Sequence, residues 1–142
     1  MKILIINGPN LNFLGKRDES KYGNFTLSDL ENLVVNEFPD DQFEFFQSNI
    51  EGEIVSKIQN AIGAYEAIVI NPGGYAHTSV AIRDALELFK GIKVEVHLSH
   101  LANREEFRQT LITATAADGY ISGFKEKGYL SAVYLVKKLM SD

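Results

Sequence analysis

The feature that most constrains this chain is the alternation of short, β-rich apolar runs with segments of helical period. The runs are Ile3–Ile6, Phe43–Phe46, Ala67–Ile70, Val94–Val96 and Gly119–Ser122. Apolar residues on consecutive positions suit strands covered on both faces, as in a parallel sheet. Helical patterns fill the gaps. Thr26 can cap a stripe of Leu27, Leu30 and Val34, and Ile50, Ile54, Ile58 and Ile62 recur every fourth residue. Ile82, Leu86 and Phe89 mark a third helix, and Asn103 with Glu106 reads as the capping box of a fourth. Leu130, Val133 and Tyr134 mark a C-terminal helix. Five strand–helix units within residues 1–142 predict one open, doubly wound α/β domain with strand order 2-1-3-4-5. The longest unpatterned piece, Gly8–Phe25, has the length of a functional lid or a disordered loop.

Composition narrows the function. Net charge is −5, with 14 Lys and Arg against 19 Asp and Glu, and no basic run exists to neutralise a phosphate backbone, so nucleic acid is not an expected partner. No apolar run approaches the roughly 20 residues of a membrane helix. The apolar start Ile3–Ile6 is too short for a leader and lacks a small-residue cleavage site, so it reads as a first strand. Zero Cys excludes thiol catalysis and Cys-ligated metal, and fits a reducing compartment. The expected location is the cytoplasm.

In a flavodoxin-like sheet of this order, ligands bind outside the carboxyl ends of the strands, between the first and third. Polar residues collect there. Asn7-Gly8-Pro9-Asn10 follows the first strand, with Arg17 and Tyr22 beyond it. Asn71-Pro72-Gly73-Gly74-Tyr75-Ala76-His77 follows the third, and Glu95-Val96-His97-Leu98-Ser99 ends the fourth. Each has an ordinary alternative. The two Asn/Gly/Pro runs are turn chemistry when taken alone. His97 reads equally well as a structural histidine, Tyr22 as a packing residue and Arg17 as a solvated charge. Glu95 is harder to set aside. It shares a strand face with His97, two residues on. A carboxylate inside a covered strand is costly unless paired, and an imidazole beside it makes a general-acid arrangement. Asn7 and Asn71 stand where a phospho-acceptor domain needs acids. No Ser/Thr-rich phosphate loop, Gly-x-Gly-x-x-Gly, Walker motif or metal-ligand spacing occurs.

From end to end the chain resembles the type II 3-dehydroquinate dehydratases. The motifs are Asn7-Gly8-Pro9-Asn10-Leu11-Asn12, Gly15-Lys16-Arg17 with Tyr22-Gly23, Phe46-Gln47-Ser48-Asn49-Ile50-Glu51-Gly52 and Asn71 to Ser79. They continue with Ala81-Ile82-Arg83-Asp84-Ala85, Glu95 to Ser99 and Arg104-Glu105-Glu106-Phe107-Arg108. Any one tetrapeptide is weak; seven in order are highly specific. The resemblance implies a flavodoxin-like fold and a cofactor-free, metal-free lyase of the shikimate pathway, the route of aromatic amino-acid biosynthesis. Its reaction would be reversible dehydration of 3-dehydroquinate to 3-dehydroshikimate. By the same resemblance Tyr22 matches the base at C2, Arg17 the residue stabilising its anion, and His97 the acid at the departing C1 hydroxyl, with Glu95 behind it. Asn71, His77, Asp84 and Arg108 match contacts to ring hydroxyls, the Leu98 and Ser99 amides a carboxylate cradle, and Asn10 a residue near the enolate. A homododecamer built from trimers is the implied assembly.

The chemistry agrees with that assignment. A proton α to a ketone leaves an enolate, which needs preorganised donors. A phenol titrates near pH 10 in water and is a poor base at neutrality without a cation beside it. Arg17, permanently charged, suits that task. Departures from the common family pattern fall at Asp18-Glu19, at His100 and Ala102-Asn103, and at Gln109-Thr110. None carries the matched acid or base; they bear on the geometry around Arg104 and Arg108, on the lid over Gly15–Gly23 and on subunit contacts. A rival from another class is a non-catalytic module keeping the polyol-acid pocket as a sensor or scaffold. The full set Arg17, Tyr22 and His97 favours catalysis, since a binder has no use for an anionic tyrosine.

Overall fold

The computed structural model describes residues 1–141. Its centre is a five-stranded parallel sheet formed by β1 (Lys2–Asn7), β2 (Gln42–Gln47), β3 (Ala67–Asn71), β4 (Ile92–His97) and β5 (Gly119–Ser122). The strand order is β2-β1-β3-β4-β5, as the apolar runs predict. The helices are α1 (Glu19–Tyr22), α2 (Leu27–Glu37), α3 (Glu51–Ala61), α4 (Val80–Leu88) and α5 (Lys127–Ser141).

Alternate side chains of each strand feed two cores. Ile3, Ile5, Val69, Val94 and Val96 pack beneath α2 and α5 with Leu30, Val34, Tyr129 and Val133. Leu4, Ile6, Ile68 and Ile70 face the other way, onto Ile54 and Ile58 of α3 and Ile82 and Leu86 of α4. Coverage on both sides is why β1 and β3 read as unbroken apolar runs rather than alternating ones. β2 and β5 are the edge strands and are only partly covered; β2 still contributes to both cores. Its Phe43 and Phe45 join the first core and Phe46 the second.

α2 begins with the full capping box that Thr26 suggests: Asp29 N–H donates to Thr26 Oγ1 at 3.1 Å and Thr26 N–H to Asp29 Oδ2 at 3.0 Å. Three expectations need correction. The fourfold Ile repeat is buried only in its middle; Ile50 is 58% and Ile62 50% exposed. Both flank α3 with extended backbone, at φ −101°, ψ 116° and φ −61°, ψ 121°, so neither continues the helical face that buries Ile54 and Ile58. In α5, Tyr129, Ala132, Val133 and Val136 form the buried stripe, and Tyr134 faces solvent. Last, Asn103 and Glu106 cap no α-helix. The chain runs through three 3-10 turns, Leu101–Asn103, Glu106–Arg108 and Thr113–Ala116. Arg104 and Glu105 are extended, with ψ of 179° and 151°. The segment has no apolar stripe to bury, and Phe107 is 65% exposed. Its arginines are instead drawn toward the carboxyl end of the sheet.

Candidate active site

The parallel register brings Asn7 at the end of β1 beside Asn71 at the end of β3. The loops that follow touch each other. Gly8 N–H donates to Asn71 O at 2.8 Å, and a Cβ on Gly8 would stand 2.4 Å from the Pro72 carbonyl oxygen. Gly73 has φ +61°, and a Cβ there would come within 2.9 Å of the Pro9 carbonyl. Glycine is required at both positions for the loops to meet. Turn chemistry and site construction are therefore the same fact here. Above this floor opens a crevice lined by Asn10, Asn71 and His77, by His97 to Ser99, and by Arg17, Tyr22, Arg104 and Arg108.

On one wall stands Tyr22, the last residue of α1, in the stretch that the sequence left unpatterned. Asp18 caps that turn by accepting from Ser20 N–H at 3.0 Å. The Arg17 guanidinium lies 3.6 Å above the Tyr22 ring centre. Arg104 Nη2 donates to Tyr22 Oη at 3.0 Å, and its Nη1 to Ser99 Oγ at 2.8 Å. Burial works against the charge on Arg17; Tyr22 opposes that effect, and Arg104 and Arg108 add to it, so the net shift is downward. Arginine still stays a cation throughout the working pH range. For Arg104, burial again opposes the charge, but the hydrogen bond and charge of Tyr22 and the contact with Glu105 outweigh it. Glu105 braces the pair of arginines, accepting from Arg104 Nε at 3.1 Å and Arg108 Nε at 3.3 Å. Its own backbone N–H and the two arginines hold its carboxyl down to about 2. Three guanidinium groups against one exposed carboxylate give this wall a positive potential suited to an anion.

The opposite wall is histidine. His97 Nε2 meets Glu95 Oε2 at 2.7 Å, with Glu95 wholly and His97 nearly buried. A carboxylate only accepts, so Nε2 carries the proton and Nδ1 is the ring atom left for a ligand. His77 stacks on His97 with ring centres 6.2 Å apart. Its Nδ1 donates to Thr110 O at 2.8 Å. Burial lowers the His77 pKa against the pull of that carbonyl, with His97 and Arg108 adding to the lowering, which favours the neutral ring. Leu98 and Ser99 follow the last ladder residue of β4, so their peptide groups lie at the crevice wall.

Of the residues singled out in the sequence, Asn10, Arg17, Tyr22, Asn71, His77, His97, Leu98, Ser99 and Arg108 meet in this crevice, with Glu95 directly behind His97. Asn10 sits in the left-handed region at φ 72°, a conformation asparagine tolerates. Asp84 does not join them. It lies exposed on α4, against Arg83 Nη1 at 3.3 Å.

Two residues were missed. Arg104 was visible only as part of the Arg104–Arg108 motif, and nothing in the sequence gives its contact with Tyr22. Tyr129 of α5, fully buried, donates to Asn7 Oδ1 at 2.5 Å and accepts from Asn71 Nδ2 at 3.0 Å. Asn71 Oδ1 in turn accepts from Gly73 N–H at 3.1 Å. Its amide is thus fixed in orientation from below.

A family model described as "Dehydroquinase class II" matches residues 1–137. The 3-dehydroquinate dehydratase of Thermotoga neapolitana is 48% identical, over 100% of this chain and 98% of its own length. That of Bartonella henselae is 50% identical, over 97% and 95%. Among solved structures, the type II dehydroquinase of Butyrivibrio crossotus superposes with a TM-score of 0.94 at 45% identity, covering 96% of this chain and 97% of that one. The type II dehydroquinase of Propionibacterium acnes gives 0.90 at 34% identity, covering 96% of each.

Proposed function

The chain belongs to the class II dehydroquinase family, and from that premise we propose that it converts 3-dehydroquinate to 3-dehydroshikimate and water, with Tyr22 as base and His97 as acid. The observation that carries this reading is one crevice with two different walls. A phenol held by two guanidinium groups faces an imidazole backed by a buried carboxylate.

The steps follow from those groups. Tyr22, as phenolate, takes the proton from C2, and the electron pair moves to the C3 oxygen as an enolate. Arg17 and Arg104 stabilise the phenolate that does this. Asn10 is the donor assigned to the enolate. The C1–oxygen bond then breaks as His97 delivers a proton from Nδ1, and water leaves. His97 ends neutral, with Nε2–H still held by Glu95, and Tyr22 ends protonated. One proton must pass from the phenol side to the imidazole side, through solvent, before the next turnover. Arg108, His77 and Asn71 are assigned to the ring hydroxyls, and the amides of Leu98 and Ser99 to the carboxylate. Asp84, as it stands, has no reach into this chain's crevice. The same reading places the enzyme in the shikimate pathway, in the cytoplasm and in a dodecamer; light scattering on the purified protein reads the last.

The direct test adds 3-dehydroquinate and follows the ultraviolet absorbance of the conjugated enone product. Turnover is expected, and its absence in properly folded protein contradicts the reading. Among the described residues no lysine lines the crevice, so borohydride added with substrate should leave activity intact. A substrate-dependent adduct on any lysine would point to a Schiff base instead.

A further inference from the structure

Glu95 has two carboxylate oxygens, and the contact with His97 accounts for one. The other, Oε1, accepts from Thr113 Oγ1 at 2.5 Å. Thr113 is fully buried, as Glu95 is. It opens the last of the 3-10 turns, Thr113–Ala116. An ionised carboxylate has only acceptors, so the hydroxyl must be the donor. A buried carboxylate is tolerable only when its oxygens are paired.

The position of that hydroxyl is set by backbone anchors. Ile112 N–H donates to Ala76 O at 2.8 Å. Two residues earlier, Thr110 O accepts from His77 Nδ1 at 2.8 Å. One short piece of chain, Thr110 to Thr113, therefore orients His77 by a carbonyl and Glu95 by a hydroxyl. We infer that Thr113 is a positioning residue of the elimination: its hydroxyl keeps Glu95 ionised and turned so that Oε2 grips His97 Nε2 and Nδ1 is left for the substrate. The inference rests on the proposed role of His97 as the acid.

With the hydroxyl removed, Oε1 loses its donor in a fully buried position and the carboxylate is disfavoured. The imidazolium then loses its counter-charge, so the acid form of His97 is depleted at lower pH. The other charged and titratable groups around the pair are His77 from the turn after β3, Arg104 and Arg108 from the segment after β4, Arg17 and Tyr22 across the crevice, Tyr120 of β5, which is in register with Glu95, and Arg83 of α4, which donates to Thr115 Oγ1 at 2.7 Å. Tyr129 of α5 is engaged by Asn7 and Asn71. None of these is altered by substitution at position 113, so a difference between variants there reports the hydroxyl.

The test is the pH dependence of kcat in Thr113→Val, Thr113→Ser and Thr113→Ala. Thr113→Val should lower kcat roughly tenfold and move the falling limb down by about one pH unit, the equivalent of one lost charge-assisted hydrogen bond. KM should change little. Thr113→Ser, which keeps the hydroxyl, should hold the falling limb where the unsubstituted enzyme has it. Should Thr113→Val not fold, Thr113→Ala against Thr113→Ser makes the same comparison. A falling limb that coincides in the hydroxyl-bearing and hydroxyl-free variants overturns the inference. His97→Asn separates the two levels. If it keeps a falling limb, the acid assignment itself has failed. If it abolishes the limb while the Thr113 variants coincide, only the role of Thr113 has failed.

Discussion

Arg104 reaches across 82 residues of sequence to donate to the Tyr22 hydroxyl at 3.0 Å. Arg17, only five positions from Tyr22, touches the same side chain differently, over the face of its ring. A hydrogen bond given to the oxygen strengthens as that oxygen becomes anionic. A cation over the π face responds to the charge of the whole ring. The two arginines therefore act on one phenol from two directions.

Both should set the rising limb of the pH–rate profile, which the mechanism assigns to the phenol. Arg104→Ala should lower kcat/KM about a hundredfold, close to 2.7 kcal/mol, and move that limb to higher pH. Arg17→Ala should shift the limb in the same direction, and Arg17→Lys should recover only part of the loss, since an ammonium lacks the planar fork. Profiles for the three variants check this. A rising limb unmoved in both alanine variants would remove the arginines from the account.

Tyr129 lies in no wall of the crevice, yet it holds Asn71 in place from beneath. Burial raises its pKa against the opposing hydrogen bond from Asn71, so it stays a protonated phenol. Tyr129→Phe strands Asn7 Oδ1 and Asn71 Nδ2 in the core and should cost roughly 1–3 kcal/mol of stability. It should also raise KM, and a cycle with Asn71→Ala should show the two effects on KM to be non-additive. Urea unfolding together with steady-state kinetics measures both. Strict additivity would mean that Tyr129 supports the fold only.

A second pH effect concerns folding rather than turnover. Asp41, 6% exposed in its side chain, accepts from Lys137 Nζ at 2.5 Å and pairs with the N-terminal amine at 3.4 Å. Burial pushes its carboxyl up, but Lys137 and the N-terminus outweigh burial and hold it below the usual value. The folded state thus binds this proton less tightly than the unfolded one. Its contribution is complete above the unfolded value near 3.9 and is lost as pH falls through the folded one. Asp41→Asn should cost about 1 kcal/mol at pH 7, and the difference should shrink below about pH 4. Denaturant titrations at the two pH values decide it.

How much of this was legible in the sequence depended on range. Ile3–Ile6 and Ala67–Ile70 read as covered strands because local burial leaves a local pattern, and β5 matches Gly119–Ser122 to the residue. The Glu95–His97 pair was legible for the same reason, since two residues on one strand share a face. The links from Arg104 to Tyr22 and from Tyr129 to Asn71 join elements far apart in sequence, and no periodicity records them. The helix expected after Asn103 failed on an absent apolar face. A capping pattern marks where a helix can start, but burial decides whether one forms. Asp84 was singled out by the motif around it, and the exposed face of α4 places it outside this chain's crevice.

The most direct test of the account is kcat for Tyr22→Phe, read from enone absorbance at saturating 3-dehydroquinate. The substitution removes one oxygen and leaves the ring beneath Arg17. The account predicts a fall in kcat of about a thousandfold, the scale of a lost general base, with KM within a few fold of the unsubstituted enzyme. A kcat near that of the unsubstituted enzyme would contradict the assignment of Tyr22 as the base and turn the search to another group in the same crevice, His77 first.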